Sequence, residues 1–152
     1  MTKMRGVDDF QLLWKRRNTI TDDDGVAYQV MSLPDLVKAK KTQRDKDWPM
    51  IRRLLEADYF AGRDDSALEQ IEFWLLELRT PELLIAIAAE HREAAERLAK
   101  VRSLLSFASA EDQARLTEEL LLEEKAERDA DRDYWRPLKA ELEQLRRDRL
   151  KN

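Results

Sequence analysis

The chain has 152 residues, with 28 Lys and Arg against 32 Asp and Glu, one His and no Cys. That length allows one ordinary domain, or a partial domain with an appendage; the absence of Cys excludes a disulfide framework, and a single His excludes a His-rich or Cys/His metal site. Charged residues make up 39% and Gly only 3, which describes a mostly helical chain with a solvated surface, and a net charge of −4 gives no global attraction to nucleic acid or anionic membrane.

The longest apolar runs, such as 83–89, are far shorter than a membrane span. The first residues, MTKMRGVDDF, lack the apolar stretch of a signal peptide. A cytoplasmic protein with no membrane partner is therefore expected.

The opening segment 7–17 predicts a short amphipathic helix, with Phe10, Leu13, Trp14 and Arg17 sharing a face. About eleven residues are too few to hold a helix in water without something to pack against. Next, Asp24-Gly25 signals a hairpin through a type I′ turn, between Ile20 on one arm and Val26, Tyr28 and Val30 on the other. These two arms are the chain's one convincing piece of β structure, and an isolated hairpin is marginal by itself.

From Ser32 onward the pattern is helical. Ser32 is the expected N-cap of a helix running to about Gln43, with Pro34 tolerated in its first turn. A polar break at 44–47 leads to a second helix from Trp48 to about Phe60, capped by Asp47. Gly62 ends it, and Asp64-Asp65-Ser66 caps a third helix carrying Leu68, Ile71, Trp74, Leu75 and Leu78. A fourth helix, about 81–107, carries a heptad: Leu84, His91, Leu98 and Leu105 recur every seven residues, with Ile87, Ala94 and Val101 between them. A fifth, opened by Ser109 and Asp112, runs toward the C-terminus, with Pro137 expected to kink or restart it. The expected fold is mainly α: one β-hairpin and about five helices, the last two long and forming an antiparallel helical hairpin. A boundary near Gly62 divides a mixed α/β part, 1–62, from a helical extension, 63–152.

Residues 38–53 hold seven basic residues against two acids. Lys40 and Arg44, four apart, point the same way, and Arg44 and Lys46 flank the mouth of the following helix, whose N-terminal amides attract anions. A phosphate fits there. The plainer reading is a solvated face, with Arg44 and Asp47 pairing to fix the turn. His91 reads as a partly buried seam residue, since there is no second His or Cys to complete a site. Trp14, Trp48, Trp74 and Trp135 read as packing anchors. No aromatic-basic interleaving suits single-stranded nucleic acid, so nucleic acid is not an expected partner.

Phe10, Leu13, Trp14, Arg16 and Arg17, then the strand pair ending Val30-Met31-Ser32-Leu33, then Asp35, Leu36, Val37, Lys40, Arg44, Lys46 and Asp47 form a pattern over about residues 4–55. It resembles the C-terminal part of nucleotidyltransferase-fold proteins of the abortive-infection toxin type. The resemblance implies that Lys40, Arg44 and Lys46 contact nucleotide phosphates and that Asp47 holds the Arg44 turn. It also implies Mg²⁺ and a nucleotide as cofactor and substrate, held by a Gly-Ser turn and three carboxylates. This chain has no Gly-Ser, and its Asp-x-Asp spacings fall in a hairpin turn, a helix junction and a helix where i and i+2 diverge. The expectation is a nucleotidyltransferase-like protein without the catalytic segment, a truncated or non-catalytic remnant or subunit. Alone it binds no metal or cofactor and transfers no nucleotide. The alternative is a helical interaction protein, a coiled-coil partner or antitoxin-like binder, that pairs with a protein or with itself through the 84–105 seam.

Overall fold

The structure, a computed structural model, describes residues 4–151. Among the described residues the elements run α1 (Phe10–Lys15), β1 (Asn18–Thr21), β2 (Ala27–Val30), α2 (Leu33–Lys40), α3 (Asp47–Gly62), α4 (Leu68–Glu77), α5 (Pro81–Glu90), α6 (Arg92–Leu98), α7 (Leu105–Ser109) and α8 (Gln113–Lys151). The chain is mainly helical with one two-stranded antiparallel sheet. No helix among the described residues is long and apolar enough to cross a membrane.

In β1 and β2, Ile20 pairs directly with Tyr28 and Asn18 with Val30. The turn differs from the expected type I′. Asp24 keeps a negative φ, while Gly25 takes φ +81° and its N–H donates to the Asp22 carbonyl at 3.0 Å. This is a type I turn closed by a left-handed glycine, which adds a residue to the loop. Asp22 fixes it further, its Oδ1 accepting from the Asp24 and Val26 amides at 3.1 and 2.8 Å. The hairpin and α1 bury almost nothing: Phe10, Ile20 and Tyr28 are 64%, 56% and 52% exposed. Trp14, expected as a packing anchor, is also exposed; it stacks on Phe10 and lies under the Arg17 guanidinium, 4.1 Å from the ring centre.

One apolar cluster runs through the rest. Val37, Trp48, Ile51, Leu55 and Tyr59 from α2 and α3 share it with Trp74, Leu75, Leu84, Ile87, Leu105 and Leu116. Tyr59 meets Trp74 edge to face, with ring centres 5.2 Å apart, and Gly62 lies against the same indole. The division expected at Gly62 is therefore not a break in packing, since the two parts close on a common core.

The fourth helix is not the single rod that its heptad suggested. His91 leaves helical geometry at φ −119° and ψ 55°, which separates α5 from α6, and a turn over 99–104 precedes α7. The cause lies in the apolar residues themselves. Leu83 through Ala89 are apolar around more than one face, and a helix of that kind is buried on several sides rather than along one seam. Broken into three, the segment packs Leu84, Ile87, Ala94, Ala95, Leu98 and Leu105 into one compact core, and leaves Val101, an expected seam residue, 79% exposed. The seam is thus largely spent inside the fold.

The fold-back of this segment on the last helix is present, with α5 and α7 lying against the first half of α8 through Leu116 and Leu120. Asp112 caps α8, its Oδ1 accepting from the Arg115 amide at 3.0 Å. The helix passes through Pro137 without ending. Pro137 and Asp133 are both exposed, so water reaches the carbonyl that the ring leaves without a donor. All residues from 139 to 149 are exposed, but Lys139 Nζ still donates to Gln43 Oε1 at 3.2 Å and Leu142 lines a groove with Met4 and Lys41, so the turns that extend past these contacts, 143–149, span about 10 Å at 1.5 Å per residue.

Leu84→Ala should therefore lower stability by about 3 kcal/mol in urea denaturation, while Val101→Ala should change it by less than about 0.5 kcal/mol. A coiled-coil seam would instead make the two substitutions comparable.

Candidate functional site

The basic turn between α2 and α3 is built around a carboxylate. Ser32 caps α2, its Oγ accepting from the Asp35 amide at 3.4 Å, and the helix unwinds at Lys41. Asp47 then opens α3 with its side chain fully buried and turned back into the turn. It accepts from Thr42 Oγ1 at 2.6 Å, Arg44 Nε at 2.8 Å and Lys40 Nζ at 3.3 Å. Burial alone would raise the Asp47 pKa, but these three donors outweigh it and hold the carboxyl below its ordinary range. Thr42 also receives the Arg44 amide on its hydroxyl and the Trp48 indole N–H on its carbonyl.

Lys40 and Arg44 are thus brought together on Asp47, whereas Lys46 is exposed and has no ion-pair partner among the described residues. Two cations against one carboxylate leave the turn one net positive charge, with Lys46 standing outside. The turn is also latched to α8: the Gln43 amide donates to buried Asp131 at 3.0 Å, and Trp135 Nε1 donates to the same carboxylate at 3.1 Å. Arg5 closes the junction on Glu127 and on the Lys41 carbonyl, at 2.5 and 2.9 Å.

A second polar cluster lies deeper. The side chains of Arg79 and Arg102, each about 95% buried, share the single carboxylate of Glu123. Arg102 grips it with two donors at 3.0 and 2.8 Å, and Arg79 adds a third at 3.1 Å. The remaining donors cap backbone: Arg102 to the Leu75 carbonyl, Arg79 to that of Leu120. Burial pushes the Arg79 pKa down, with neighbouring Arg102 adding to the effect and Glu123 opposing it. For Glu123, burial raises the pKa, but the two guanidiniums win and hold it low.

Arg79 also lies over the Trp48 ring at 4.7 Å, on the floor of a groove of about 370 Å³ between α3, α5 and α8. Arg52 and Arg128 line the same groove; the Arg52 Nε–H is shared between Glu56 and Thr80, and the Arg128 guanidinium is held by Glu124 and Asp45. Nearer the N-terminus, Arg16 grips Asp35 with two donors at 3.0 and 2.8 Å, and this bond lowers the Asp35 pKa.

The Asp-x-Asp spacings bring no carboxylates together. Asp45 is fully in water while Asp47 is buried. Asp129 is held by Lys125 and Arg132, and Asp133 by Arg136, with Asp131 turned to the Gln43 turn. Among the described residues no group of three or more His, Asp or Glu side chains is placed to hold a metal ion. His91 sits at the break between α5 and α6 rather than in a seam.

Sequence reasoning missed Arg79, Arg102, Glu123 and Asp131. The weak signal for the two arginines is that each sits beside a mostly apolar stretch, 74–78 and 104–108, interrupted only by Glu77 and Ser106.

Glu123→Gln leaves two buried guanidiniums without a counter-charge and should cost about 3 kcal/mol at pH 7 in urea denaturation. The carboxyls of Asp35, Asp47 and Glu123 all have folded pKa values below their unfolded ones. Their contribution is therefore complete above about pH 4.5 and is lost as the pH falls through the folded values. Urea midpoints should be flat from pH 7 to 5 and fall steeply below 4, and Asp47→Asn should start lower and fall less; an unchanged acid slope would contradict this.

No protein-family model, curated protein or solved structure matches the chain.

Proposed function

We propose that this chain is a non-catalytic interaction protein, a helical body that presents two uncovered apolar faces for docking. The observation that carries the reading is the state of the α1 and hairpin segment. Phe10, Trp14, Ile20, Val26 and Tyr28 are all 43–64% exposed, on a ribbon that is marginal without cover. The second face is the projecting end of α8, where Leu142 and Leu145 are 46% and 58% exposed. Leu138, Leu142 and Leu145 follow one another at spacings of four and three, on one side of that helix. The working surface proposed here is not the 84–105 seam, because most of that seam lies in the core.

A nucleotidyltransferase-like subunit is a second reading. What favours it is the net positive turn of Lys40, Thr42, Arg44 and Asp47 beside exposed Lys46. In that case Mg²⁺ and nucleotide would be held only where a segment outside residues 1–152 supplied the Gly-Ser turn and metal carboxylates.

Full-length chain in a lysate of its own cells should migrate above monomer mass. Tyr28→Asp and Leu142→Asp should each reduce that mass with unchanged far-UV circular dichroism. A chain at monomer mass both in lysate and when purified would overturn the interaction reading. With Mg²⁺ and each labelled nucleoside triphosphate, the purified chain should show background transfer; robust labelling would show it to be an enzyme.

A further inference from the structure

Within one chain the two uncovered faces do not cover each other, and their charges are opposite. The hairpin loop carries Asp22, Asp23 and Asp24 in succession, all exposed. The last described side chains of α8, 146–149, are three cations and one acid, a net charge of +2. Each charged end adjoins an apolar surface: the Ile20–Tyr28 cross-strand pair beside the loop, and Leu142 with Leu145 beside the helix end.

We infer that the chain forms a reciprocal dimer in which the α8 end of each copy lies on the hairpin face of the other, its terminal arginines against the aspartate loop. The inference rests on the interaction reading above and names a second copy as the partner.

The spacings agree. From Leu145 to Arg149 the helix advances about 6 Å at 1.5 Å per residue. From Ile20 to Asp22 the strand advances about 7 Å at 3.3 Å per residue. A helix that sets Leu142 and Leu145 over Ile20 and Tyr28 therefore brings Arg149 level with the loop. Each copy gives one helix end and receives one, so the contact is made twice and closes on itself, leaving no face to propagate into a fibre.

Pairing of two α8 ends with each other fits less well. The face that carries Leu138, Leu142 and Leu145 continues the face that packs on the body through Leu116 and Leu120. Side-by-side parallel helices would force the two bodies into one space. An antiparallel pair would set Lys139 and Arg146 of one copy beside the same cations of the other, and Glu141 beside Asp148.

Sedimentation of purified full-length chain at about 100 μM should give twice the monomer mass. Asp22 is left intact in the variants because it holds the turn. D23K/D24K and R146E/R149E should each be monomeric, with unchanged circular dichroism. A chain carrying all four changes should dimerise again, and so should an equimolar mixture of the two charge variants. A monomeric wild type, reversals that leave the mass unchanged, loss of dimer with the helix variant only, or failure of the four-fold variant to recover would each overturn the dimer. A purified monomer that still migrates in a larger species in lysate would sink the self-association and leave the interaction reading standing.

Discussion

The bond on which most of the architecture depends is the one between Glu123 and two buried arginines. Arg79 comes from the turn between α4 and α5, Arg102 from the turn between α6 and α7, and Glu123 from the third turn of α8. Three segments distant in sequence are held at one point, and the free guanidinium donors cap the carbonyls of Leu75 and Leu120. Two cations on one carboxylate are costly to desolvate, and the arrangement persists because every donor it buries has a geometrically good acceptor. Since α8 is docked there, its far end has a fixed direction relative to the body.

A second latch works in the same way further along. Asp131 on α8 takes the Gln43 amide and the Trp135 indole, so the basic turn between α2 and α3 is tied to the same helix that Glu123 holds. Asp47 completes the turn from within. The lysine and arginine that read as phosphate ligands are therefore also structural donors, and one set of charges sets both the shape of the turn and its residual positive potential. The remaining attachment is Arg16 on Asp35, which ties the hairpin segment to α2 with little apolar burial. This segment presents the aromatic side chains of Phe10, Trp14 and Tyr28 to water.

Two kinds of surface follow. The body buries most of its apolar stripes, through Trp48, Trp74, Leu84 and Leu105, and its main groove is lined by arginines that have carboxylate partners, although Phe60, Leu68, Val101, Leu121 and Leu122 stay exposed on it. The two extremities, hairpin and helix end, differ in that their exposed apolar side chains have no buried neighbours within the same stretch, 10–30 or 139–149. In the interaction reading proposed above, the working surfaces are therefore the ends of the chain rather than a central cleft.

Much was legible in the residues alone. Apolar periodicity and the scarcity of glycine determined a mainly helical chain, Ser32 and Asp112 determined two helix starts, and Asp24-Gly25 determined a hairpin, because each is a local effect of backbone geometry or a cap within four residues. The turn type escaped, since only the Asp22 side chain bonding across the loop decides that Asp24 stays right-handed. The heptad over 84–105 misled because periodicity describes one face and is silent on how many neighbours a helix has. Broken at His91 and after Leu98, the segment packs α5 against α4, α7 and α8 at once, which a straight rod with one seam would not do. Glu123 and Asp131 could not be paired with their donors from sequence, since Arg102, Arg79 and the Gln43 amide lie 21, 44 and 88 residues away and only tertiary packing removes the water that would otherwise solvate them. The sequence by itself determined the elements and their charges; the tertiary structure alone decided which charges are buried together and which apolar faces remain in water, because desolvation depends on neighbours that no local pattern specifies.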